Sequence, residues 1–286
     1  MTTTNKSLAQ QIADNLLQLR QQAPLVLNLT NYVVMNNSAN ALLAIGASPI
    51  MAHSRCELAE MVRICGSLVI NIGTLDETWV DRMKTAAQFA VSADKPIVLD
   101  PVGVGASNFR NQSALEIATI AARGNRLIIR GNASEIIALA NTAELTPANA
   151  AASVKGISKG VDATDSSHSA LQYGQALANY FNAEVVISGE TDFVIGKNNR
   201  QYQLNNGDPL MPKVTGIGCS LSALTGAFAA TSQQPGLCAA AVMGIAGQLA
   251  AKNAKGPGSL QMELLDQLYS LNSKTIEQNL IAKNIL

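Results

Sequence analysis

Charge, large rings and histidine are all scarce in this 286-residue chain, and each scarcity removes a class of function. Charged residues make up 14%, with Lys+Arg 20 balancing Asp+Glu 20, so the basic footprint of a nucleic-acid binder is absent. Only two histidines occur, His53 and His168, and their separation argues against Ser-His-Asp or Cys-His machinery. The four cysteines (Cys56, Cys65, Cys219, Cys238) contain no C-x-x-C pair, which speaks against structural zinc and against a disulfide framework. The longest apolar run, Leu237–Gly247, is too short to cross a bilayer, and the polar Met1–Gln11 stretch lacks a signal-peptide core. No nucleic acid and no membrane are expected as partners, and the chain reads as a soluble, cytoplasmic protein. A G-x-x-x-x-G-K-[ST] loop is missing, and Gly103-x-Gly105 lacks the third glycine of the dinucleotide fingerprint. No Pro/Ser-rich linker, repeat or low-complexity tail interrupts residues 1–286, so one domain is expected.

What is abundant is small and apolar. Hydrophobic residues reach 48% while aromatics stay at 4%, so alanine and glycine must let helices approach closely. Ser7–Arg20 has a helical period with one wet face, Pro24 ends it, and Leu25–Leu29 reads as a strand. Asn36–Ile45 reads as a helix closed by Gly46, followed by a short strand over Ser48–Ala52. Strands over Ser67–Ile72, Pro96–Leu99 and Arg126–Ile129 are each trailed by a helix, over Glu77–Ala90, Ser113–Ala122 and Ala133–Ala140. A helix over His168–Phe181 feeds a strand at Glu184–Ser188. Asp192–Ile195 and Gln201–Leu204, joined through Gly196-Lys197-Asn198-Asn199, read as a hairpin on the sheet's edge. The last seventy residues or so read as nearly all helical. Short apolar runs alternating with amphipathic helices specify an α/β fold, with a mainly parallel central sheet and helices on both faces.

The most informative segment is Val214-Thr215-Gly216-Ile217-Gly218-Cys219-Ser220-Leu221-Ser222-Ala223. Two glycines break the chain and an apolar helix starts at once, a turn that aims backbone N–H groups at an anion. The helix dipole and free amides there are expected to favour a Cys219 thiolate. Close helix packing and a small buried thiol are the structural alternatives.

Ligand sites in open α/β sheets lie beyond the carboxyl ends of the strands. Asp100 ends the run Ile97-Val98-Leu99 before Pro101, where its carboxylate faces either a metal or hydroxyl, or the N–H groups of the Gly103–Ala106 turn. Arg130 follows Ile129 and suits a phosphate, whereas Asn132 and Glu135 also satisfy a capping box without any ligand. Together with Asp100, Glu135 makes a sensible nucleotide–magnesium site. Ser188 ends a strand before Gly189, as a phosphate contact or as part of a plain turn. Asn31, Asn36 and Asn37 lie between the first strand and its helix. Either Asn36 or Asn37 explains itself as a cap, and Asn31 does not. Met51 defaults to core packing.

Taken in order, Leu29-Thr30-Asn31 through Asn40, Gly46-Ala47-Ser48-Pro49-Ile50-Met51, Asp100-Pro101-Val102-Gly103, Arg130-Gly131-Asn132-Ala133-Ser134-Glu135 and Gly216-Ile217-Gly218-Cys219 resemble the hydroxyethylthiazole kinase family of the ribokinase-like superfamily. The resemblance covers nearly the whole chain. It implies ATP-dependent phosphorylation of the primary hydroxyl of a hydroxyethylthiazole in thiamine salvage, with Mg2+ and a homotrimer whose sites lie between subunits. Carried over by position, Met51, Gly216 and Asn31 contact the thiazole and Arg130 and Ser188 the nucleotide. Asp100 and Glu135 are the acids at the metal, and Cys219 stands at the catalytic base position, where wider ribokinase-like kinases carry aspartate. Position 188 is often threonine in this family, and serine preserves the hydroxyl. The competing readings are a hydroxymethylpyrimidine- or pyridoxal-type kinase, a non-catalytic thiazole or nucleotide sensor, and a cysteine-nucleophile acyl enzyme.

Overall fold

The apolar runs form strands because parallel strands covered on both faces have no wet side to pattern. In a computed structural model, which describes residues 6–145, 163–197 and 200–286, these are β1 (Leu25–Leu29), β2 (Ser48–Ile50), β3 (Ser67–Asn71), β4 (Ile97–Asp100), β5 (Leu127–Asn132) and β6 (Glu184–Ser188). The antiparallel strands β7 (Asp192–Ile195), β8 (Gln201–Leu204) and β9 (Ala282–Asn284) complete one sheet in the order β2-β1-β3-β4-β5-β6-β7-β8-β9. Neighbours from β2 to β6 are all parallel, so their carboxyl ends open on one edge of the sheet. The hairpin β7–β8 lies one strand in from the edge that was expected for it, because β9 adds to β8. Its connecting Asn198 and Asn199 fall outside the described residues.

Side chains alternate along each strand, and the two sets feed two cores. Val26, Val69, Val98, Ile128 and Val186 face α1 (Leu8–Gln22), α2 (Met35–Ile45), α8 (Ile217–Ala229), α9 (Pro235–Asn253), α10 (Pro257–Ser270) and α11 (Ser273–Asn279). Leu27, Leu68, Leu99, Ile129 and Ile187 face α3 (Leu58–Ile64), α4 (Glu77–Ser92), α5 (Asn108–Ala122), α6 (Ala133–Thr142) and α7 (Ala163–Phe181). Local chemistry starts the helices where the sequence indicates. Ser7 and Gln10 form a capping box on α1, Asp76 accepts from the Trp79 N–H on α4, and Gly46 closes α2. The helix α3 and the strand β9 were not anticipated.

Candidate active site

The two-residue period of the strands decides which polar groups meet. Asn71 shares its face with Val69, Asp100 with Val98, Arg130 with Ile128, and Ser188 with Val186. All four therefore point from the carboxyl edge toward α8. Asn71 pairs with Asp100 across β3–β4, and Arg130 lies two residues inside a β5 that runs on to Asn132, further than the apolar run alone indicated.

Opposite them, α8 begins at the Gly216 N-cap with φ 88°, a left-handed backbone that favours glycine. A β-carbon at Gly216 would also sit 2.9 Å from the Asn37 amide, which donates to the Thr215 carbonyl at 2.9 Å and fixes the turn. Asn37 thus holds the α8 turn, and Asn36 accepts from Asn40; neither caps α2, whose N-cap is Val34 with no side-chain bond. The first intrahelical bond runs from the Ser220 N–H to the Gly216 carbonyl at 2.8 Å. The preceding N–H groups of Ile217, Gly218 and Cys219 belong to the helix start, where an α-helix provides no acceptor. Gly218 lets the guanidinium in: a β-carbon there would stand 3.0 Å and 3.1 Å from Arg130 Nη1 and Nη2.

Asp100 is wholly buried. Its Oδ2 accepts from Asn71 Nδ2 at 2.8 Å and from Ser222 Oγ at 2.7 Å, with Arg130 Nη1 at 3.6 Å. Burial pushes this carboxyl up to about 6 against the pull of Arg130. The alternative role, accepting from the Gly103 turn, belongs instead to Glu135. Its Oε1 takes the Gly103 N–H at 3.0 Å while Oε2 takes the Asn132 N–H at 2.9 Å, closing the capping box on α6. Arg130 Nη2 donates to Ser188 Oγ, so the β6 hydroxyl and the Asp100 carboxylate meet the same guanidinium.

Two buried atoms in this group, Asp100 Oδ1 and Arg130 Nε, have no hydrogen-bond partner among the described residues. An unpartnered carboxylate oxygen beside a second acid fits a magnesium ion that takes most of its ligands from phosphate and water. Among the described residues no three His, Cys, Asp or Glu side chains converge as a dedicated metal cage.

Cys219 corrects an expectation. The thiol at the third position of α8 is not a thiolate: burial, then the Asp100 charge, pushes it up to about 11. Desolvation and a neighbouring carboxylate outweigh a helix end, whose partial charge is small. Asn31 Nδ2 lies 3.7 Å from Cys219 Sγ and donates to Asn71 Oδ1 at 2.8 Å, so Asn31 belongs to the same group. Met51 follows the last residue of β2, half-buried and outside both cores, at the same carboxyl edge as Asn31. Tyr32 and Val33, next in the chain after Asn31, are exposed, and the Tyr32 ring lies tilted against the buried Trp79 with centroids 5.2 Å apart.

Asn71 and Ser222 were not singled out in the sequence. A signal existed for Asn71, a polar residue ending an apolar run as Asp100 does. Ser222 carried none, being one small residue among many on an alanine-rich helix.

Residues 16–274 match the model of the hydroxyethylthiazole kinase family. Hydroxyethylthiazole kinase of Vibrio parahaemolyticus is 56% identical over 273 residues, covering 96% of this chain and 98% of the relative. The Leptospira biflexa protein of the same name is 53% identical over 268 residues, covering 93% and 94%. Among solved structures, a hydroxyethylthiazole kinase protein from Pyrococcus horikoshii superposes with a TM-score of 0.84 at 38% identity, over 96% of this chain and 99% of that one. A Staphylococcus aureus pyridoxal kinase shares the fold alone, with a TM-score of 0.52 at 12% identity over 79% and 88% of the two chains. With the family model matched over residues 16–274 and relatives above 50% identical along nearly their whole length, the chain belongs to the hydroxyethylthiazole kinase family.

Proposed function

We propose that this chain transfers the γ-phosphoryl group of ATP to the primary hydroxyl of 4-methyl-5-(2-hydroxyethyl)thiazole, a step of thiamine salvage. One observation carries the reading: Arg130, Asp100 and Cys219 meet at the amino end of α8, on the carboxyl edge of the sheet. The named relatives at 56% and 53% identity support the thiazole as acceptor.

In this reading the α8 amides and Arg130 hold phosphate oxygens, with Ser188 steadying the guanidinium. Asp100 and Glu135 would hold magnesium, which when bound neutralises charge on the phosphates. The hydroxyl oxygen bonds to the γ-phosphorus in line with the breaking bond to the β–γ bridging oxygen. Phosphoryl transfer of this kind is loose, so the hydroxyl proton need not leave early. A protonated Cys219 therefore orients the hydroxyl through sulfur and relays its proton to a phosphate oxygen, rather than taking it as a thiolate base. Asn31 and Met51, with Gly216, line the thiazole side. A homotrimer with sites between subunits is what the resemblance to this family implies, and the oligomeric mass in solution tests it. No described helix is long and apolar enough to cross a membrane.

The test is magnesium-dependent ADP release from ATP with the thiazole alcohol. Turnover that requires both establishes the activity. Tight thiazole binding without ADP release would make the chain a sensor instead.

A further inference from the structure

A network of buried hydrogen bonds joins the two ends of the site, and the backbone sets the direction of its amides. The Val33 N–H donates to Asn31 Oδ1 at 3.1 Å, which leaves Asn31 Nδ2 facing Asn71 and Cys219. The Gly73 N–H donates to Asn71 Oδ1 at 3.0 Å, which leaves Asn71 Nδ2 facing Asp100. A backbone N–H only donates, so neither amide can flip without losing a bond. Ser222 approaches the same Asp100 oxygen from α8, so Oδ2 is saturated and Oδ1 alone stays open. Asn31, Asn71, Asp100 and Ser222 are all buried, the last two wholly. Buried networks of this kind hold one arrangement because every alternative strands a polar group.

We propose that Asn71 and Ser222 are positioning residues. Together they lock the rotation of the Asp100 carboxylate so that Oδ1 faces the reacting groups, and Asn71 couples that carboxylate to Cys219 both directly and through Asn31. The inference rests on the kinase reading for its kinetic arm and not for its chemical arm.

Asn71→Asp keeps the shape and the acceptor toward Asn31 and Gly73, but turns an oxygen toward Asp100. It is expected to lower kcat by about 100-fold or more with KM for both substrates within about 3-fold, the pattern of an interaction used only in the transition state. Ser222→Ala inserts a good helix former and is expected to lower kcat about 10-fold with KM again unchanged. It carries the test if Asn71 variants do not fold. In the resting protein, with exposed Cys56 removed as Cys56→Ser, Asn71→Ala frees the Asn31 amide. The iodoacetamide alkylation rate of Cys219, read by peptide mass spectrometry, should change by about 3-fold or more. Folded variants with unchanged kcat, effects confined to KM, or an unmoved alkylation rate would each overturn the proposal. Wild-type turnover reports on the kinase reading separately, and the alkylation arm needs no turnover.

Discussion

Replacing Asp100 by asparagine should sever stability from function in a way that pH exposes. The buried carboxyl is raised from its ordinary value of 3.8 to about 6. Each tenfold change in proton affinity corresponds to about 1.4 kcal/mol, so ionised Asp100 costs the fold about 3 kcal/mol. The sign follows from where the proton sits. Between pH 4 and 6 the native state holds the Asp100 proton and the unfolded state has lost it, so stability falls as pH rises. Above pH 6 the whole cost is present. Asp100→Asn removes this titration but leaves Arg130 without its carboxylate, an offset that does not vary with pH over this range. Urea unfolding of EDTA-treated wild type and variant at pH 4.5 and pH 8 reads the difference. The wild type should lose about 2 kcal/mol relative to the variant between those values, the rest of the cost having already appeared below pH 4.5, while the variant's turnover collapses at every pH. Glu184 and Asp192, also raised by burial, titrate in both proteins and cancel in the comparison. Parallel stability curves would refute the claim that Asp100 is held at a cost to the fold.

Further outcomes follow from the same geometry. Cys219→Ala should retain turnover reduced by about 100-fold, the lower range for a proton-transfer group. Full activity would remove Cys219 from proton handling, whereas Cys219→Asp should stay within about 10-fold of wild type. Gly218→Ala should leave Tm within a few degrees of wild type, alanine's helix preference of at most about 0.8 kcal/mol being offset by the displaced Arg130. The added carbon, 3.0 Å from Arg130 Nη1, displaces the guanidinium and should raise the KM for ATP by about 10-fold. Glu184 accepts the Gly236 N–H at the start of α9 and is raised from 4.5 to about 7 by burial. Glu184→Gln keeps that acceptor, so it should stabilise the protein by up to about 3 kcal/mol at pH 8 and not at pH 4, with activity unaffected.

Much of the fold was legible because burial on both faces writes each parallel strand as an apolar run. Leu25–Leu29, Glu184–Ser188 and both hairpin strands coincide with their expected bounds. The misses have local causes. The seven residues of α3 lack a side-chain cap, and β9 is Ala-Lys-Asn, a segment held to β8 by backbone bonds and not by any β-forming side chain. At the site, residues ending apolar strands stood out, which is why Asp100, Arg130 and Ser188 were named. Their mutual contacts were not readable, since the sequence does not state which strands are neighbours. Expecting a Cys219 thiolate failed for the same reason: the dipole of α8 is local, but the burial and the Asp100 carboxylate that oppose it come from elsewhere in the chain.

The most direct test of the account is kcat/KM with magnesium and ATP for hydroxyethylthiazole, hydroxymethylpyrimidine and pyridoxal measured side by side. A value for the thiazole at least about 100-fold above the other two is predicted. Equal or higher values for the pyrimidine or pyridoxal would contradict the assigned acceptor while leaving the phosphoryl-transfer site in place.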